Sequence, residues 1–275
     1  MSLAARLPSL RAMAHDSAVR APRRRPHGSA RPPAPTSVPW LTPRRLLVLA
    51  AVGVVVLAGI LIGVSVAGSG GGSSSPGSVT GGAQTTALIG GIPQQGFTLG
   101  SPTAPVKLVE YGDLQCPICR EFATATLPTI IRDYVSTGKV QLEFRGLAFI
   151  GQDSEKALEA VTAAAAQNKS WNMIDLLYRN QGQENSGWVT DSTLRAAAAA
   201  IPGLSVPGWL GDRGTAATKA KIAAMRSQAV ALMGASGIRT PTFEAGRAGQ
   251  PLQYLPITSL DAGAFTPTLD QLLAQ

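Results

Sequence analysis

Cys116-Pro117-Ile118-Cys119 is the stretch on which the fold turns, because these two thiols are the only cysteines in 275 residues. The spacing suits a helix start. Cys116 can serve as N-cap and Pro117 as the first helical residue, where a fixed φ and a missing N–H cost nothing. A thiol at that position faces unpaired backbone N–H groups and the positive end of the helix dipole, so its thiolate is favoured and its pKa falls. Cys119, one turn further on, is close enough to attack a mixed disulfide formed at Cys116. This is the layout of a dithiol/disulfide exchanger, with an inert bridge as the alternative.

Other chemistries for the pair fail on residue supply. A zinc site needs about four ligands, and the only histidines, His15 and His27, precede a long apolar run. Covalent haem attachment wants His directly after the second Cys, but residue 120 is Arg. A structural bridge closing so short a loop stabilises little, since the entropic gain grows with loop length. No metal and no cofactor are expected. With no His after the apolar run, Ser-His-Asp and Cys-His sites are excluded there. Asp153, Glu155 and Glu159 read as one solvated helix face. Gly70-Gly71-Gly72 has no Lys partner and is not a phosphate loop.

The formal charge of +8 is concentrated at one end. Residues 1–45 hold nine Arg and a single acid, Asp16, which leaves basic and acidic side chains balanced over 46–275. The main domain therefore carries no electrostatic footprint for nucleic acid. The Arg/Pro-rich tail 1–45 cannot bury a core and is expected to be disordered in the cytoplasm, touching anionic lipid head groups. Leu46 to Ala67 is an uncharged run whose only polar residue is Ser65. At 1.5 Å per residue it spans about 33 Å, enough for the hydrocarbon core of a bilayer. Arg44 and Arg45 abut its start and the next cation is Lys107, so the positive-inside rule places everything after Ala67 outside. An uncleaved signal-anchor is the preferred reading and a cleaved signal the alternative; both export the domain to where disulfides persist. Residues 68–96 read as a Gly/Ser-rich flexible linker.

Residues 97–275 read as α/β. Val106 to Tyr111 is a strand ending just before the cysteines. The helix from Pro117 carries Ile118, Phe122, Ile130, Ile131 and Tyr134 on an apolar stripe, with a kink expected at Pro128 and a stop at Gly138. Lys139 to Phe144 alternates as a second strand. Ala-rich segments make about 153–236 helical. Thr240-Pro241-Thr242-Phe243 opens a third strand, Tyr254 and Leu255 suit a fourth, and 267–274 a last helix. A sheet with an inserted helical block is the implied architecture.

On Gly100-Ser101-Pro102-Thr103-Ala104-Pro105-Val106, on Glu110-Tyr111-Gly112-Asp113-Leu114-Gln115 leading into the cysteines, and on Thr240-Pro241-Thr242-Phe243, the chain resembles the DsbA-like branch of the thioredoxin-fold superfamily. It is most similar to that branch's membrane-anchored bacterial thiol-disulfide oxidoreductases. The resemblance implies a thioredoxin-like fold with an inserted helical subdomain. Cys116 would be the exposed nucleophile and Cys119 the buried resolving thiol. Pro241 would be cis, packed on the disulfide, and would turn Thr240 to pair with an extended client; Pro117 and Ile118 would line the same substrate face. Taken alone, Pro241 reads as an ordinary turn proline, since cis X-Pro bonds are a minority.

Glu110 falls where the family often has a buried acid, and on a strand it shares a face with Val106 and Leu108. There its pKa should rise and it could relay a proton to Cys119; the alternative is a solvated strand-end glutamate. The dipeptide Pro-Ile departs from the Pro-His of the best-known oxidase of this branch. Ile118 supplies neither charge nor hydrogen bond to a Cys116 thiolate, which leaves the direction of electron flow open.

The implied activity is extracytoplasmic exchange of the Cys116–Cys119 disulfide with exported cysteine-containing clients, running as an oxidase with a membrane reoxidant, quinone-linked if it follows the DsbA system. A reductase or isomerase is the same site run backward. A tethered binding or chaperone module with a fixed disulfide is the alternative of a different class.

Overall fold

The computed structural model describes residues 77–235 and 237–275. The Arg-rich tail, the 46–67 run and the first part of the 68–96 segment lie outside these residues. Among the described residues no helix is long and apolar enough to cross a membrane.

The sheet has six strands: β1 Gln94–Gln95, β2 Thr98–Leu99, β3 Val106–Asp113, β4 Val140–Leu147, β5 Thr242–Arg247 and β6 Gln253–Leu255. Their order is β1-β2-β4-β3-β5-β6. β3 and β4 are parallel, from Val106 opposite Val140 to Asp113 opposite Leu147. Every other pairing is antiparallel. β3 is central and buried along nearly its whole length, so its two polar side chains of interest, Glu110 and Asp113, are carried into the interior by the strand itself.

A parallel pair needs a crossover, and residues 117–135 supply it. α2 Pro117–Glu121 runs into a wide turn at Phe122–Thr126, then α3 Leu127–Ile130 and a second wide turn at Ile131–Val135. The expected disturbance at Pro128 takes this form: the Leu127 N–H reaches Phe122 O, five residues back. A proline ring inside a regular helix would instead clash with the carbonyl four residues back. Gly138, at φ 75°, ends the crossover. Its N–H bonds Val135 O at 3.0 Å and the Lys139 N–H bonds Tyr134 O at 2.9 Å, the paired bonds of a left-handed helix stop.

Among the described residues, five helices stand between β4 and β5: α4 Gln152–Ala165, α5 Ser170–Arg179, α6 Asp191–Ala199, α7 Val206–Asp212 and α8 Ala216–Met233. Thr190, Ser205 and Thr215 cap three of them through side-chain oxygens, each cap contributing about 1 kcal/mol. Trp171 and Trp209 are fully buried in this block, and their indole N–H groups are satisfied by Phe97 O at 2.9 Å and Ala160 O at 2.8 Å. α9 Thr266–Leu273 follows β6. This is a thioredoxin-like α/β fold with an inserted helical layer.

Three expectations are corrected. Within the described residues the 68–96 segment is not a free tether throughout. α1 Gly82–Ile89 buries Thr85 and Ile89, the Thr85 hydroxyl donates to the Asp175 carboxylate, and the Thr80 N–H bonds Asn180 Oδ1 at 2.8 Å. The Gly/Ser composition ends at Gly82, and beyond it Ala83, Ala87, Leu88 and Ile89 give a helix something to bury. Ile118 is not on the core stripe: it is 48% exposed at the rim, because α2 turns Cys119 and Phe122 inward. Asp153 is not on a solvated face. It is buried and accepts from the Gly187 N–H at 2.8 Å, tying α4 to the loop after α5.

Candidate active site

Cys116 caps α2 with Pro117 at the first helical position, and its Sγ accepts from the Cys119 N–H at 3.4 Å. Both thiols are free. Cys119 is fully buried, and Cys116 is nearly so as a residue. The Thr240–Pro241 peptide is cis; Thr240 O stands 3.5 Å from Cys116 Sγ and accepts from it while the thiol is protonated.

The two sulfurs are driven apart electrostatically. A hydrogen bond from the Cys119 thiol does most to lower Cys116, to about 6; burial opposes it, and the Thr240 side chain with the N–H groups of Cys119 and Ile118 adds to the lowering. The Cys119 thiol, with smaller help from the helix-start N–H groups, therefore supplies what the Ile118 side chain cannot. Cys119 is pushed well above the usual thiol value, chiefly by burial and then by the bond it donates to Cys116. At neutral pH one sulfur is a thiolate and the other a thiol.

Glu110 is buried on β3, between Phe144 of β4 and Phe243 of β5 in register. Neither carboxyl oxygen has a hydrogen-bond partner. Burial, with a lesser push from the Cys116 charge, raises it to about 8. The carboxyl therefore favours its protonated form at pH 7.

Several residues that hold the site were given no role by the sequence. Asp113 accepts from the Gln115 N–H at 2.9 Å, the Ser154 hydroxyl at 2.6 Å and the N–H groups of Phe149 and Ile150, which fixes the loop leading to Cys116. Gln115 continues the chain to Ser154 and Asn185. Gln181 donates to Leu114 O at 2.8 Å and Cys116 O at 3.1 Å. Tyr178 donates to Asp113 O at 3.3 Å. Asp113 and Gln115 lie within the motif already quoted; Tyr178, Gln181 and Asn185 lie more than sixty positions away, where local pattern says nothing of the cysteines.

Beside Cys116 a groove of about 350 Å³ opens between Ile118, Thr240, Pro241, Phe243, Ile257 and Leu260. Pro117 is exposed on the same rim. The structure thus gathers Cys116, Cys119, Glu110, Thr240, Pro241, Pro117 and Ile118 at one end of the sheet.

A sequence profile of the family described as Thioredoxin matches residues 93–246. The chain belongs to the thioredoxin family. Probable disulfide bond formation protein D of Bacillus cereus is 40% identical over 99 residues, 35% of this chain and 46% of that protein. Disulfide bond formation protein D of Bacillus subtilis is 30% identical over 125 residues, 45% of this chain and 49% of that protein. The chain spans about half the length of these curated relatives. The crystal structure of oxidised BdbD from Bacillus subtilis superposes with a TM-score of 0.56 at 22% identity, covering 68% of this chain and 99% of that one. That likeness establishes a shared fold, helical insertion included.

Proposed function

We propose that this protein is an extracytoplasmic, membrane-tethered thiol-disulfide oxidoreductase that exchanges the Cys116–Cys119 disulfide with exported client proteins, working as an oxidase. The observation that carries the reading is the unequal pair of sulfurs: a thiolate-favouring Cys116 at a helix start against a cis proline, with a buried, proton-holding Cys119 behind it. A low pKa at the nucleophile stabilises the reduced enzyme and so makes its disulfide more oxidising. The names of the Bacillus relatives, which specify disulfide bond formation, agree with this direction.

In the forward step a client thiolate attacks Cys116 Sγ. The Cys116–Cys119 bond breaks, and Cys119 leaves with the electron pair and takes a proton, which Glu110, a buried acid that interacts electrostatically with Cys119, can supply. A second client thiolate attacks the client sulfur of the mixed disulfide and releases Cys116 as thiolate. The client loses two electrons and the enzyme gains them, so a membrane reoxidant must collect them. The groove lined by Ile118, Thr240 and Pro241 is the place for an extended client segment. The Leu46–Ala67 run would hold the domain at the membrane.

The reading is tested by incubating cells that carry Cys119→Ala and separating proteins without reductant. Mixed disulfides with exported clients are expected on Cys116, and in the wild type alkylation of reduced Cys116 should be half-maximal near pH 6. No trapped client, together with a disulfide that resists millimolar glutathione, would instead establish a binding module with a fixed bridge.

A further inference from the structure

Gly112 lies between the buried acid and a tyrosine that the reaction scheme above does not use. A β-carbon at Gly112 would stand 2.7 Å from the Phe144 ring, 2.9 Å from the Tyr178 hydroxyl and 3.0 Å from Glu110 Oε1. The missing side chain is what lets the tyrosine oxygen and the carboxyl oxygen approach one point from opposite elements, α5 and β3. Glu110 is the buried carboxyl group, among the described residues, with both oxygens unpartnered. Tyr178 is fully buried, and its recorded hydrogen bond, 3.3 Å to Asp113 O, is a long one for a hydroxyl donor.

We propose that Tyr178 is a positioning residue for proton delivery to Cys119: across the gap left by Gly112, its hydroxyl turns from the Asp113 carbonyl to donate to the Glu110 carboxylate formed when that side chain protonates the leaving sulfur. The inference rests on the exchange reading above and deepens it. When client sulfur bonds to Cys116 and the Cys116–Cys119 bond breaks, the electron pair goes to Cys119 and the Glu110 proton follows it. The carboxylate left behind is buried, a state that is unfavourable without a partner. The groups facing it are Phe144 from β4, Phe243 from β5, Cys116 and Cys119 from the crossover and Tyr178 from α5, with Asp113 on its own strand turned toward Gln115, Ser154 and residues 149–150. No cation is among them. Burial, then the charges of Cys119 and Glu110, hold Tyr178 well above the ordinary phenol range. It stays a donor through the cycle and contributes a hydrogen bond, not a proton. Reprotonation of Glu110 from solvent returns the hydroxyl to Asp113.

The test is a ¹³C titration of the glutamate carboxyls in reduced full-length protein, with Glu110→Gln identifying the Glu110 resonance. Removing a donor to the charged form raises a carboxyl pKa. Tyr178→Phe, which keeps the ring, should move the Glu110 midpoint up by about one pH unit, the fold-change of one charge-assisted hydrogen bond. It should also slow Cys119 release from glutathione-treated protein about tenfold by the same measure. An unmoved midpoint with glutathione exchange intact overturns the role of Tyr178 and leaves the exchange reading standing; loss of exchange in the wild type overturns the exchange reading itself. Should Tyr178→Phe not fold, the infrared C–O stretch of labelled tyrosine in the wild type decides. A shift of the Tyr178 band across the Glu110 titration is expected, and a constant band overturns the proposal. The chain has only four tyrosines to assign.

Discussion

Two buried glutamates lie on neighbouring strands of the same sheet, on opposite faces, and they are treated in opposite ways. Glu244 of β5 accepts from the Tyr111 hydroxyl at 2.7 Å and from Arg145 at 3.2 Å. Arg145 in turn holds Glu143 at 2.7 Å, and Lys107 reaches the other Glu143 oxygen at 2.9 Å. Burial pushes Glu143 up, but its bonds to Arg145 and Lys107 outweigh that and hold it below the usual carboxylate range. Glu110, one residue from Tyr111 and facing the cysteines, has no such partner and is raised to about 8. Burial alone does not make a carboxylate reactive. The cation-rich face spends its charges on holding strands together, while the cysteine face withholds partners and so keeps a proton available.

The largest effect that would break this contrast is a pH dependence. Glu110 titrates near 4.5 when unfolded and at about 8 when folded, so its contribution to stability is complete below pH 4.5 and is lost as pH rises toward 8. The unfolded chain binds fewer protons across that window, which makes the slope negative. Urea denaturation of reduced protein should show Glu110→Gln gaining on the wild type as pH rises through this window, by a total on the order of 4 kcal/mol. A constant difference would mean that Glu110 has an unseen partner.

Next in size, Arg145→Met should cost about 3 kcal/mol, because it strips donors from two carboxylates at once. The pH profile of Cys116 alkylation should not move, since the network lies on the other face; a moved profile would join the two regions that the contrast separates. The smallest effect is Glu244→Gln, which keeps the shape and one acceptor and should cost about 1 kcal/mol by thermal unfolding. A loss as large as that of Arg145→Met would show that the charge of Glu244, and not its hydrogen bonds, anchors the network.

The fold was legible where chemistry and local pattern coincide. The cysteine spacing, Pro117 and the strand before them place the active end of the sheet, and Thr240-Pro241-Thr242 marks the loop that meets it. Glu110 could be placed on an apolar face by period-two reasoning alone, though its lack of partners could not. The supporting residues were illegible for a physical reason. Tyr178, Gln181 and Asn185 reach the cysteine loop only after the helical insertion folds back over the sheet, and an amphipathic pattern records which face is buried without recording against what. α1 escaped notice because a Gly/Ser-rich approach masks a short helix whose order comes from docking on α5, not from its own propensity.

That docking decides where the domain can be cut. A protease or an engineer removing everything before Phe97 would take away Ile89, the Thr85 hydroxyl held by Asp175 and the edge strand β1. The helix α5, which carries Tyr178 between its contacts at Asp175 and Asn180, would then lose that cover along one side. The useful severance point therefore lies ahead of Ser78, well before the Phe97 at which the α/β pattern begins in the sequence.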